Sequence, residues 1–319
     1  MTFLIGVDVG GTKVLAGEVT PEGNLLRTAT RPTPGRLVSV AALEDALTLA
    51  VMEVADGRVP EGIGLAAAGF VDGAGERVMF APHLPWAGDD VRRRLAERWG
   101  APVMLDNDAN CAAHAESLLG VAYGASSAIM VTMGTGIGGA LLLEGRLLRG
   151  ANGMAGEFGH MQVVPEGRQC ECGRLGCWEQ YSSGNALVRF ARAQMIAQPT
   201  ALTDLCQGRP DLLTGPMVTA AVEDGDLVAR QAFASVGDWL GVGLAGLVAA
   251  FDPEVIVVGG GVSAAGDRLL DPARTALRRA LVGAEHRMVP EIRTALLGPE
   301  AGLIGAALLA RSAHPRPLG

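Results

Sequence analysis

Gly6-Val7-Asp8-Val9-Gly10-Gly11-Thr12-Lys13 closes one apolar run, Phe3 to Val9, and opens another, Val14 to Val19. The pattern is strand, glycine turn, strand. Glycines without Cβ let backbone N–H groups approach an anion, and Lys13 adds positive charge beside them. The spacing is not that of a Walker A loop, and the turn leads into a strand rather than a helix. Asp8 in an apolar run needs a partner, and a hydrated cation is a natural one. A plain Gly-Gly hairpin is the bland alternative; the acid and the lysine favour phosphate and metal handling through Asp8, Gly10, Gly11, Thr12 and Lys13.

The same order returns further along. Ala128 to Met133 reads as a strand, Gly134-Thr135-Gly136-Ile137-Gly138-Gly139 as a turn, and Ala140 to Leu143 as a returning strand. The turn matches G-x-G-x-x-G formally, but a dinucleotide fingerprint should open a helix, and the short apolar stretch here does not. A third turn, Gly259-Gly260-Gly261, follows the strand Val255 to Val258 and precedes a helix, with no well-placed acidic ribose partner. Three glycine turns at strand ends suit a nucleotide in a cleft between two related α/β halves.

Between these turns the chain alternates strands and helices. Strands are expected at Asn24–Thr30, Ile63–Val71 and Val103–Leu105. Helices are expected at Val38–Ala55, where apolar residues recur at three and four, at Asp90–Trp99, from Asp106 to near Gly120, and at Ala301–Ala310. The expected division is a small domain of residues 1–120 plus a C-terminal helix within 300–319, and a large domain of residues 121–299.

Composition narrows the partners. The 319 residues carry 34 acidic and 26 basic side chains, a formal charge of −8, which disfavours nucleic acid. Hydrophobic content of 49% and charged content of 19% are globular values. The uncharged window Ser117–Leu143 is broken by glycines, so it reads as strand and turn rather than membrane span. The N-terminus lacks the basic start of a signal peptide, and a cytoplasmic protein is expected. Of the basic residues 25 are Arg and one, Lys13, is Lys; coding bias accounts for the missing lysines.

Two segments carry further chemistry. Asp106-Asn107-Asp108-Ala109-Asn110 lies where a strand meets a helix. One of its three leading side chains should cap the helix, and three exceed what a cap requires. A carboxylate at that N-terminus is held ionised and can accept a proton from a hydroxyl. Then Cys170, Cys172 and Cys177, with His160 ten residues upstream, suit a tetrahedral structural Zn²⁺. A cluster of reduced thiols is the alternative. Cys111 and Cys206 are isolated and read as packing.

Taken in order, these motifs resemble the ROK family (repressors, open reading frames, kinases), and most of all its bacterial glucokinase branch. The resemblance runs through Gly6–Lys13, Asn107-Asp108-Ala109-Asn110, Gly134–Gly139, Ala155-Gly156-Glu157-Phe158-Gly159-His160, Cys177-Trp178-Glu179-Gln180-Tyr181 and Gly259–Gly261. It implies an α/β, actin-like ATPase (ribonuclease H-like) fold with a cleft between two domains. It implies ATP with Mg²⁺, and transfer to the 6-hydroxyl of glucose with Asp108 as general base. It places Gly69, Asn107, Asp108, Glu157, His160 and Glu179 around the sugar, and His160, Cys170, Cys172 and Cys177 on zinc. A dimer or tetramer is expected by the same analogy. The chain departs from the family at Asp106, where Glu is frequent, at Ala68, where Pro is common, and at His83, where Asn is common. Another hexose or N-acetylhexosamine as acceptor, polyphosphate as donor, or a sugar sensor without turnover are the competing expectations.

Overall fold

The computed structural model describes residues 2–35 and 38–312. In chain order the elements are β1 (Leu4–Val9), β2 (Lys13–Val19), β3 (Leu25–Pro32), α1 (Val40–Ala55), β4 (Gly62–Ala67), β5 (Phe70–Val71), β6 (Val78–Phe80), α2 (Val91–Trp99), β7 (Val103–Asn107) and α3 (Asp108–Leu119). There follow β8 (Ala128–Met133), β9 (Ile137–Leu143), β10 (Arg146–Leu147), α4 (Gly184–Met195), α5 (Leu202–Leu205), α6 (Gly215–Glu223) and α7 (Leu227–Phe251). The last are β11 (Val255–Gly259), α8 (Asp267–Ala280), β12 (Glu291–Thr294) and α9 (Ala301–Ser312).

The elements form two compact units. One comprises Met1–Ser126, Ala140–Gly156 and Leu296–Gly319; the other comprises Ser127–Gly139 and Glu157–Ala295. Residues 140–156 therefore count with the first unit, not with a linear stretch 121–299. The expected C-terminal helix within 300–319 is α9 over Ala301–Ser312, and residues 313–319 lie outside the described residues.

The two five-stranded sheets share one topology. Their orders are β3-β2-β1-β4-β7 and β10-β9-β8-β11-β12. In the first, β1 pairs antiparallel with β2 and parallel with β4, and β4 pairs parallel with β7. In the second, β8 and β12 flank β11, both parallel to it. The echo of strand, glycine turn and strand is the β1–β2 and β8–β9 corner of this repeated pattern.

Strand parity sets what faces what. Along β1, Phe3, Ile5, Val7 and Val9 join a core with Leu43, Leu47 and Leu65, whereas Leu4 joins the opposite cluster with Leu303 and Leu308 of α9. Side chains alternate across a strand, so Asp8 shares the Leu4 face, the α9 side of the sheet. Close helix approach on that face requires bare backbone: a Cβ on Gly64 would overlap the Ala306 carbonyl.

Three boundaries differ from the sequence reading. The strand expected over Ile63–Val71 breaks after Ala67, where the Gly69 N–H turns back to the Ala67 carbonyl at 2.8 Å. β7 continues to Asn107 because its ladder with β4 runs to the Ala67–Asn107 pair. β9 starts at Ile137, so only Gly134-Thr135-Gly136 remains as the turn. Helix α7 is long and apolar enough to cross a membrane by composition, but 61% of that window is buried within the protein, as in a core helix.

Candidate active site

In the first unit, three parallel strands end together. The C-terminal edge of a parallel sheet is where α/β folds place ligands. Here β1 delivers Asp8, the chain beyond β4 delivers Gly69, and β7 delivers Asn107 at the start of α3. Asn107 is the cap: its Oδ1 accepts from the N–H groups of Ala109 at 2.9 Å and Asn110 at 3.2 Å. Its Nδ2 donates to the Gly69 carbonyl at 3.1 Å, fixing that turn. Asp108 is thereby the first helical residue, and its Oδ1 accepts from Ala109 N at 3.0 Å.

Asp106 has a different task. It is buried, and its Oδ1 accepts from Asn107 N at 2.8 Å and Asn110 Nδ2 at 2.9 Å. Its Oδ2 accepts from Arg149 Nε at 2.9 Å and Nη2 at 2.6 Å. This buried acid holds the segment in place. Arg149 escaped the sequence reading because nothing local marks a partner 43 residues away.

Electrostatics sets Asp8 and Asp108 apart. Burial, and then the neighbouring Asp108, push the Asp8 carboxyl up to about 7, with Lys13 pulling in the opposite direction. Burial also raises Asp108, opposed by the hydrogen bond from Ala109. Two carboxyls that disfavour each other's charge are relieved by a cation. This donor chemistry fits an oxygen-loving divalent ion at Asp8. The turn beside them is closed by Gly10 N donating to Lys13 O at 3.1 Å, and Thr33 Oγ1 donates to Gly10 O at 2.7 Å. Lys13 is exposed at the start of β2. His83 packs over this turn: a Cβ on Gly11 would come within 2.7 Å of its Cβ.

In the second unit, His160, Cys170, Cys172 and Cys177 converge, with one ligand atom from each lying within 4.8 Å of the others. Cys170 Sγ is 3.7 Å from His160 Nδ1, and Cys172 Sγ is 3.6 Å from Cys177 Sγ. A tetrahedron with Zn–S bonds of about 2.3 Å has edges of about 3.8 Å, so the spacing and donor set fit zinc. The loop is shaped by Cys170 N donating to Arg174 O at 2.8 Å and Gly176 N donating to Arg168 O at 2.8 Å.

The neighbouring motif is anchored residue by residue. Cys177 belongs to the cluster. Trp178 is fully buried against Gly243 of α7, with its Nε1 donating to Trp239 O at 2.7 Å. Gln180 O accepts from Arg189, and the Tyr181 hydroxyl accepts from Arg168 N at 2.7 Å. Glu179 is thus held between fixed neighbours. Its Oε1 lies 3.0 Å from Cys170 Sγ and 3.7 Å from His160 Nδ1. Glu157 precedes the short 3-10 turn Phe158–His160, its carbonyl accepting from His160 N at 3.1 Å.

The second unit also holds a cavity of about 880 Å³. Gly134 and Thr135 of one glycine turn and Gly261 of another open on it. Its apolar wall includes Leu187, Val188, Leu213 and Pro216, and its rim includes Asn185 and Arg189. That volume and mixed lining suit a nucleotide. The N-terminus of α4 is tied to the turn by Gly184 N donating to Gly134 O at 2.8 Å. Sequence reading found the glycines but missed the walls from α4 and α6. The Thr214-Gly215-Pro216 helix start was the available signal.

Paired sheets with this repeated topology and glycine turns define the actin-like ATPase fold. The ROK family model matches residues 4–313, and the chain belongs to the ROK family. It is 42% identical over 318 residues to a glucokinase from Streptomyces coelicolor, covering 99% of both chains. A ROK family glucokinase from Streptomyces griseus, solved with glucose and AMPPNP, is 43% identical with a TM-score of 0.89, covering 97% of this chain and 99% of that one. A ROK hexokinase from Thermus thermophilus is 38% identical with a TM-score of 0.76, covering 98% and 99%.

Proposed function

We propose that this protein is an ATP-dependent glucokinase that phosphorylates the 6-hydroxyl of D-glucose. The full-length similarity to a glucokinase solved with glucose and an ATP analogue carries the reading. The local chemistry agrees with it. Asp108 is the general base: burial raises its proton affinity, and the helix start orients it. Asn107 and Gly69, already bonded to each other, hold sugar hydroxyls in the first unit. Glu157, His160 and Glu179 hold the sugar from the second. His160 is also a zinc ligand with Cys170, Cys172 and Cys177.

ATP is bound by the three glycine turns. Gly10, Gly11, Thr12 and Lys13 take phosphate in one unit; the turn Gly134–Gly136, through Gly134 and Thr135, and the turn Gly259-Gly260-Gly261 take the nucleotide in the other. Asp8 would hold Mg²⁺ through water, and that ion would supply charge stabilisation for the phosphates. Phosphoryl transfer needs chiefly such positioning and charge. Zinc would rigidify the loop that carries Glu179. We place the enzyme in the cytoplasm as a homo-oligomer, with no nucleic-acid or membrane partner.

A coupled assay with glucose and ATP tests the reading. It is run beside mannose, fructose, N-acetylglucosamine and N-acetylmannosamine, and with polyphosphate as donor. The highest kcat/KM is expected for glucose with ATP. No turnover with any pair would leave the sensor reading; a better acceptor or donor would replace the one named.

A further inference from the structure

Gly134 and Gly136 sit two residues apart in one turn, yet their surroundings differ. Neither has φ in the left-handed region, so conformational freedom explains neither glycine. Space does. A Cβ on Gly134 would meet nothing within 4 Å, and Gly134 opens on the large cavity. A Cβ on Gly136 would overlap Glu179 Oε2 and come 3.4 Å from its Cδ. The missing side chain at 136 is thus replaced by a carboxylate of the same unit.

We infer that Gly136 is a sugar-side positioning residue rather than a phosphate-binding one. Its bare Cα is the seat of the Glu179 carboxylate. Neighbouring groups form the other walls of that seat. Cys170 Sγ stands 3.0 Å from Oε1, and Trp178, buried against α7, fixes the backbone one residue earlier. The Ser183 hydroxyl donates to the Glu179 carbonyl at 2.7 Å. Oε2 accepts no hydrogen bond among the described residues, so it is the oxygen left for a ligand hydroxyl. An alanine at 136 would push on the one part of this assembly that can move, the carboxylate itself. Gly134, with open space before it, is the glycine that lets phosphate approach the backbone.

The inference rests on the proposed role of Glu179 as a sugar ligand, and the test separates the two. Gly136→Ala is expected to raise the KM for glucose about 10-fold or more, while the KM for ATP changes less than about 3-fold. Gly134→Ala is expected to do the reverse. Zinc content of Gly136→Ala should stay at the wild-type value, which shows that the metal loop is intact. The closing measurement is made in a Glu179→Asp background. A carboxylate withdrawn by one methylene leaves room for the new Cβ, so Gly136→Ala should there cost less than about 3-fold in glucose KM. If Gly136→Ala is too unstable for kinetics, recovery of its Tm by Glu179→Asp supports the seat, and no recovery overturns it. A raised ATP KM with unchanged glucose KM, an unchanged enzyme, or an equal penalty in both backgrounds overturns the inference. If the wild type binds no sugar, the functional reading fails by itself, and the Tm cycle still reports on the seat.

Discussion

The turn after β1 and the turn after β8 occupy the same corner of two sheets with the same strand order, but acids are used differently around them. Beside Gly10-Gly11, Asp8 and Asp108 are enclosed: burial raises the proton affinity of both, and the Asp108 charge raises that of Asp8 further. Beside Gly134–Gly136, Glu179 is braced by a cysteine cluster and a buried tryptophan, with one oxygen unused. One corner stores a proton-affinity problem that a bound cation would relieve. The other is a rigid mount. Repeated topology fixes where ligands bind, and the side chains fixed around each turn decide which chemistry is done there.

The largest expected effect breaks the acid corner. Asp108→Asn should lower kcat by about 10²–10⁴-fold with an unchanged Tm. Near-normal turnover would remove Asp108 from the role of base. Next comes the mount. Cys177→Ser should drop zinc from about one per chain to near none and lower Tm by about 5–10 °C, read by metal analysis and thermal unfolding. Full zinc in that variant would dismiss the four-ligand site.

The third expectation concerns pH. A carboxyl raised in the folded state contributes stability below its unfolded value of 3.8, and that contribution is lost as pH rises through about 7. The ligand-free protein should therefore lose stability across that window. Asp8→Asn should restore about 1–3 kcal/mol at pH 8, measured by denaturant unfolding, while lowering turnover. The wild type should regain the same stability when Mg²⁺ and nucleotide are added. The smallest expected change is at Lys13. Lys13→Arg keeps the charge but broadens it, and the KM for ATP should rise about 3–10-fold. An unchanged KM would mean that charge alone matters at this exposed position.

Much of this was legible beforehand. The candidate zinc ligands Cys170, Cys172 and Cys177 lie within eight residues, with His160 ten upstream, and such a cluster shows in local spacing and ligand chemistry alone. The Asn107-Asp108 pair was legible because a strand running into a helix leaves a cap position that Asn fills. Arg149 was not, since the carboxylate it serves is remote in sequence and any of 25 arginines could have been its partner. The cavity walls from α4 and α6 were missed for a related reason: Leu187, Val188 and Leu213 look like ordinary core residues until tertiary contacts leave them facing a void.

What the chain determined by itself was the set of local patterns: glycine turns at strand ends, a capped helix start, thiols at metal spacing, and the family order in which they occur. These depend on neighbours within about ten residues. Only the tertiary structure decided how each glycine is used. Gly134 and Gly136 are the same residue in the same turn. One has open space before it, where a ligand can approach the backbone; before the other Glu179, 43 positions later, stands already. Volume already occupied by another segment leaves no trace in local sequence, since only packing brings the two together.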